Sequence, residues 1–216
     1  MKVSSVVVGP FQENAYHLLD ESTGDAVLID PGDEPDQVLA MAAQGGGTLR
    51  AVWVTHGHLD HIGAIAGVRR RFPDLPIHLH PLDLPLYGPG ARAAARMYGI
   101  PFEEAPAPDR EFAEGDRVHC GSLTFDVWHV PGHAPGHVLL HGHGIAFGGD
   151  CLFAGSIGRT DLPLSNGEDM QRSLARIATL APEVLVYPGH GPSTTIGQEL
   201  ASNPFLSGLA RPIRRG

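Results

Sequence analysis

Residues 55–61 read Thr55-His56-Gly57-His58-Leu59-Asp60-His61, set between the apolar run Leu49 to Val54 and a stretch in which Ile62, Ile65, Ala66 and Val68 recur at helical spacing. The apolar run suits a central strand, and the spacing after it predicts a helix over 62–71. Four donor side chains therefore crowd a strand-to-helix junction. Two imidazoles separated by a glycine can converge on a cation when the backbone bends, and neutral imidazole is a common zinc ligand. Any one of these residues alone reads as a solvated turn residue. Together, between two apolar segments, they point to metal binding. Helical spacing alone cannot bring all four to one ion, so a loop that presents different faces to two ions is the more economical reading.

Three further candidates share this kind of mount. His133 lies in Pro131-Gly132-His133-Ala134-Pro135-Gly136-His137, an irregular turn after the predicted strand Leu123 to Val130. Asp150 follows the apolar run Ile145 to Gly149, where a carboxylate can bridge two cations and offset their charge; alone, it would read as a turn or capping residue. His190, in Tyr187-Pro188-Gly189-His190-Gly191-Pro192, repeats the arrangement of strand, glycine and histidine. His137 opens the next strand and is read as a buried hydrogen-bonding histidine. Cys151 follows Asp150, and strand alternation turns it away into the core.

Around these residues the chain alternates in a regular way. Strands are predicted at Lys2 to Val8, Tyr16 to Leu19 and Ala26 to Ile29, then a helix from Pro35 to the glycines at 45–47, then strands at Leu49 to Val54 and Ile77 to His80. A helix over Ala91 to Tyr98 sits in a less regular middle that ends in the proline-rich connection Pro101 to Pro108. The second half repeats the order: a hairpin at Val118-His119 and Leu123 to Val130, strands at Val138 to His141 and Ile145 to Gly149, a helix near Asp169 to Ala178 and a strand at Val184 to Tyr187. Two such halves suggest an α/β fold with two mixed sheets face to face and helices outside. No composition shift marks a linker, so residues 1–216 are expected to form one domain.

Composition narrows the function classes. The chain has 216 residues, of which 24 are acidic and 15 basic, for a formal charge of -9. That balance argues against nonspecific binding to nucleic acid or an anionic membrane, which calls for a basic footprint. A small anionic substrate is still allowed, because bound metal reverses the local field. Cys120 and Cys151 alone make no disulfide framework. No apolar run approaches the roughly 18 residues of a membrane span, and the start lacks a leader pattern. A cytoplasmic location is the expectation.

The run Thr55 to His61, followed in order by His133, Asp150 and His190, resembles the metallo-beta-lactamase-fold hydrolases along nearly the whole chain. The resemblance implies an αββα sandwich with metal ligands on loops along one edge. It assigns one divalent ion to His56, His58 and His133 and another to Asp60, His61 and His190, with Asp150 and a water or hydroxide bridging them. Zinc is the first choice, with iron or manganese as alternatives. Residues 131–137, Gly149-Asp150-Cys151-Leu152-Phe153 and Gly158-Arg159-Thr160-Asp161 look most like the short glyoxalase II-like branch, which implies hydrolysis of S-acylglutathione thioesters such as S-lactoylglutathione. Asp60 and Asp150 are then the expected catalytic residues. Arg159 meets either an acidic group of the substrate or a loop carboxylate such as Asp161. Phe11 to Tyr16 and Asn203-Pro204-Phe205 match the same branch, with Asn14 expected to stabilise a turn. The chain ends soon after His190, so the helical domain of longer glyoxalase II enzymes is expected to be missing and the glutathione half weakly held. The competing classes are a mononuclear-iron persulfide dioxygenase, a nuclease, and a non-enzymatic metal-binding or interaction module.

Overall fold

The computed structural model describes residues 1–213. The first sheet contains β1 (Lys2–Val8), β2 (Glu13–Asp20), β3 (Asp25–Ile29), β4 (Thr48–Trp53), β5 (Ile77–Leu79) and β6 (Arg110–Glu111), in that spatial order. Its β1–β2–β3 part is antiparallel and its β3–β4–β5–β6 part is parallel. The second half supplies β7 (Arg117–Cys120), β8 (Leu123–His129), β9 (Val138–Gly142) and β10 (Ile145–Gly149). It continues with a small separate hairpin of β11 (Leu152–Phe153) and β12 (Ser156–Ile157), then β13 (Leu185–Pro188) and β14 (Thr194–Thr195). The second sheet runs β14-β13-β10-β9-β8-β7, with β10 and β13 its parallel pair. The two sheets are therefore mixed and lie face to face, as an αββα sandwich requires.

Strands with both faces buried explain why their sequences are nearly continuous apolar runs. Alternate residues Tyr16, Leu18, Val27, Ile29, Ala51 and Trp53 meet Phe125, Val127, Val138, Leu140 and Phe147 between the sheets. The Trp53 and Phe125 rings touch edge to face at 5.9 Å. The opposite face of the first sheet, with Ala15, Leu28 and Val52, is covered by Val38 and Met41 of α1 (Pro35–Gly45), Ile65 and Val68 of a second-layer helix and Ala91 and Ala95 of a third. Met170, Leu174 and Ile196 cover the outer face of the second sheet.

The predicted helix over 62–71 is instead two pieces, α2 (Leu59–Ile62) and α3 (Ile65–Arg71). The interruption has a local cause: the Ala64 amide donates to the Pro31 carbonyl at 3.0 Å, and a Cβ at Gly63 would lie 2.4 Å from the Gly32 carbonyl oxygen. Asp60 and His61 are thereby set on a single rigid turn. The helix over 91–98 forms as α4 (Ala91–Tyr98), and α5 (Gly167–Ile177) starts two residues before the predicted one because the Asn166 side chain caps its first amides. An unanticipated helix, α6 (Ile196–Ser202), is begun by a capping box between Thr195 and Gln198. None of the described helices is long and apolar enough to cross a membrane.

At the rim opposite the metal-ligand candidates, Asp20 ties a turn of the first sheet to one of the second. Its carboxylate accepts bonds from the Ser22 and Ser122 amides and from the hydroxyls of Ser22, Thr23 and Ser122. Those donors, Ser22 and Ser122 foremost, hold its carboxyl well below the usual carboxylate range. A depressed folded-state value stabilises the fold above the unfolded-state pKa of about 4, and that stabilisation is lost as pH falls further. In metal-free protein, the melting-temperature gap between wild type and Asp20→Asn should be constant above about pH 5 and narrow as the pH is lowered below about 4. A gap that widens on acidification would refute the latch.

Candidate metal centre

Five strands end at the same rim of the sandwich, and each delivers a polar residue there. Asp30 follows β3, His56 follows β4, His133 follows β8, Asp150 follows β10 and His190 follows β13. The structure brings all seven expected ligands, His56, His58, Asp60, His61, His133, Asp150 and His190, into overlapping donor groups. One is His56, His58 and His133; a second is Asp60, His61 and His190; a third joins His56 and His61 to Asp150. Within each group the candidate donor atoms lie within 4.8 Å of one another. Asp150 faces both sides: Oδ1 is 3.3 Å from His61 Nε2, while Oδ2 is 3.4 Å from His133 Nε2 and 3.5 Å from His190 Nε2. Asp60 Oδ2 is 3.2 Å from His190 Nε2.

The ring tautomers are set from behind. His133 Nδ1 donates to the Arg159 carbonyl at 2.8 Å, leaving its Nε2 lone pair facing His58 Nδ1 at 2.8 Å. Thr55 Oγ1 donates to Asp30 Oδ2 at 2.6 Å, so it can accept from His56 Nδ1 at 3.2 Å and leave His56 Nε2 as the inward lone pair. His61 Nδ1 donates to the same Asp30 oxygen at 3.0 Å, and its Nε2 points inward. His56 Nε2, His61 Nε2 and Asp150 Oδ1 are buried without hydrogen-bond partners. Inward lone pairs that no donor satisfies are what cation ligands present.

Charge gives the same result. Burial, reinforced by neighbouring imidazoles, holds His56 well below the ordinary histidine range, lowers His58 to about 3 and lowers His133, so these rings stay neutral. Burial also opposes charge on His61 and His190, but the carboxylates outweigh it: Asp150 and Asp30 raise His61, and bonds to Asp150 and Asp60 push His190 up to about 10. Burial alone would keep Asp150 protonated, yet His61 and His190 hold it well below the carboxylate range. The two carboxylates thus favour positive charge at His61 and His190. Five imidazoles and two carboxylates sharing one bridging position fit a pair of divalent ions.

Residues 8–190 match the sequence profile of the metallo-beta-lactamase superfamily. The chain belongs to that superfamily. The Hydroxyacylglutathione hydrolase GloC of Haemophilus influenzae is 36% identical over 96% of this chain and 99% of its own length. Among solved structures, TTHA1623 in a di-iron-bound form superposes with a TM-score of 0.87 at 47% identity, covering 94% of this chain and all (100%) of that one. BLEG-1 B3 metallo-beta-lactamase gives 0.88 at 36% identity over 95% and 100% of the two chains. ETHE1 from Myxococcus xanthus gives 0.80 at 31% over 96% and 85%.

Within the superfamily fold, several residues hold the candidate ligands in place without joining them. His137 Nε2 accepts the Asp150 amide at 2.9 Å and its ring stacks on His56, the buried hydrogen-bonding use its position suggests. Asn14 Nδ2 donates to the Pro188 and Gly191 carbonyls, and Tyr16 Oη to Pro188, clamping the turn that carries His190. Glycine is required at 189, where a Cβ would lie 2.2 Å from Asp150 Oδ1. Arg159 makes a bidentate pair with Asp161, at 2.7 and 2.8 Å, the second of the two uses open to it. Cys151 is buried in the apolar cluster beneath α5 and α6, and burial pushes its thiol far above the ordinary range.

Asp30 and Glu13 lie outside the expected set. Asp30 has a left-handed backbone (φ 47°) at the end of β3 and carries the same signal as Asp150, a carboxylate directly after an apolar strand. Glu13 is fully buried with neither oxygen hydrogen-bonded, its Oε1 3.8 Å from His61 Nδ1, and burial, together with nearby Asp30, Asp60 and Asp150, raises its pKa despite His61. Nothing in its surroundings in sequence announces this.

Metal-restored protein should hold about two divalent ions per chain by elemental analysis. Asp150→Ala should lower both metal content and activity, with an activity loss on the order of ten-fold greater than His190→Ala, because the Asp150 carboxylate lies against His133 as well as His61 and His190. Wild-type metal content in Asp150→Ala would rule out the bridging position.

Proposed function

We propose that this chain is a thioester hydrolase acting on S-acylglutathione compounds such as S-lactoylglutathione, with two zinc ions as the first choice and iron or manganese as alternatives. The observation that carries the reading is the pair of donor groups joined by Asp150; both cysteines are buried. The end-to-end match to a hydroxyacylglutathione hydrolase supports the substrate class.

When bound, divalent ions supply the Lewis acidity that makes water nucleophilic near neutral pH and that offsets charge on a carbonyl oxygen. The chain's own residues then do the following. Asp60 and His190 have side chains 21% and 26% exposed, while those of His61, His133 and Asp150 are under 10%, so substrate approaches over Asp60 and His190. Asp60 accepts a hydrogen bond from the attacking water and orients it. Asp150, His56 and His61 form the closed floor that excludes bulk solvent. Water adds to the thioester carbonyl carbon, the C–S bond breaks with its electron pair leaving on sulfur, and the thiolate takes up a proton to give thiol and carboxylic acid.

The test is a kinetic panel on metal-restored protein: S-lactoylglutathione, a simple acyl thioester, an ester, a lactam, and glutathione persulfide with oxygen consumption followed. Turnover of thioesters well above the ester and lactam is expected, with a lower KM for the glutathione compound. No turnover of either thioester would overturn the hydrolase assignment, equal KM for both would remove glutathione as the recognition element, and oxygen consumption on the persulfide by a single-iron form would favour the dioxygenase class.

A further inference from the structure

Asp83 is not among the ligand candidates, yet it is fully buried at the end of the 3-10 turn Pro81–Asp83, between β5 and α4. Its two carboxylate oxygens reach two different loops. Oδ2 accepts the Gly57 amide at 2.8 Å and Oδ1 accepts the Gly136 amide. Gly57 separates His56 from His58, while Gly136 belongs to the turn that begins at His133. One loop leaves the first sheet and the other leaves the second.

Both loops are pressed against this turn. A Cβ at Gly57 would lie 2.8 Å from the Asp83 carbonyl oxygen and 2.9 Å from the Tyr87 amide, and one at Gly136 would lie 2.8 Å from both the Asp83 amide and Oδ1. A short carboxylate with an acceptor at each end fills the gap between two inward-pointing N–H groups. Burial pushes the Asp83 carboxyl up to about 6, so near neutral pH it remains the ionised double acceptor this geometry needs.

We propose that Asp83 is a positioning residue for the ion held by His56, His58 and His133: it sets the separation of the two loops and thereby whether the three imidazoles close on one cation. The inference rests on the metal-centre reading above. It predicts a selective effect, because the Asp83 carboxylate bonds to Gly57 and Gly136, whereas Asp60 and His61 are mounted on α2 and His190 on the Asn14-clamped turn. In Asp83→Asn the shape is kept, but an NH2 group must face one of the two amides, and a buried donor against a donor costs the contact outright.

The experiment is a cobalt(II) titration of chelator-stripped protein, followed by visible absorption and by the hyperfine-shifted imidazole ring-proton resonances. Wild type should take up about two equivalents. Asp83→Asn should bind one of them about 10–100-fold more weakly and lose the shifted signals of the three-imidazole group first, keeping those of His61 and His190. Asp83→Glu, which restores both acceptor oxygens on a longer stem, should recover part of the loss. Circular dichroism of the metal-free proteins checks folding; if Asp83→Asn does not fold, Asp83→Glu must still weaken the same equivalent alone. Unchanged affinity, or equal weakening of both equivalents, overturns the positioning role while leaving the metal centre intact. A wild-type chain that takes up no cobalt overturns the metal reading and this inference with it.

Discussion

A carboxylate shut off from water stays ionised only if positive charge is brought to it, and Asp150 lies at the centre of a site arranged around that constraint. Its oxygens face His61 on one side and His133 and His190 on the other. The carboxylates raise the pKa of His61 and His190 against the effect of burial. Cations meet the same need at lower cost, because they also satisfy the lone pairs of His56, His58 and His133, which burial keeps neutral. One side of the site is thus prepared as neutral donors and the other as a charged network in which protons and metal compete.

Such a cluster is precise only if its loops are fixed, and the fixing is done by side chains bonding to one another and to backbone. Asp30 orients His61 directly and His56 through Thr55. His137 holds the Asp150 amide, Asn14 and Tyr16 hold the turn of His190, and Asp83 holds the amides beside His56 and beyond His133. Each of the bonds from His137, Asn14, Tyr16 and Asp83 satisfies a backbone group that an irregular buried loop would leave unpaired, so it removes a penalty of about 1–3 kcal/mol as well as setting position.

What the sequence reveals follows from this division. The candidate ligands are legible because each sits after an apolar strand with glycine or another candidate beside it, and both sheets are legible because strands buried on two faces cannot hide their apolar runs. Asp30 carries the same signal as Asp150 and is distinguishable from an ordinary turn residue only once Thr55 and His61 are seen against it. Asp83 and Glu13 carry no local signal, since their partners lie 26 to 53 residues from Asp83 and in other elements around Glu13. The split of the helix after His61 is likewise invisible in helical periodicity, which Ile62, Ile65 and Val68 satisfy. It arises from a tertiary bond between Ala64 and Pro31.

The division of the site between the sheets links metal to folding. The first half of the chain supplies His56, His58, Asp60 and His61, and the second supplies His133, Asp150 and His190, so neither sheet alone offers a complete donor group around Asp150. The supports cross in the same way: Asn14 of the first sheet clamps the turn after β13, and Asp83 of the first half holds Gly136 of the second. An ion bound between the halves therefore binds the docked sandwich in preference to the separated sheets, and its binding free energy adds to the interface formed by Trp53, Phe125 and Phe147. The apolar interior brings the candidate ligands together, and a cation held by them would tie the two halves at a rim whose loops are buried but polar.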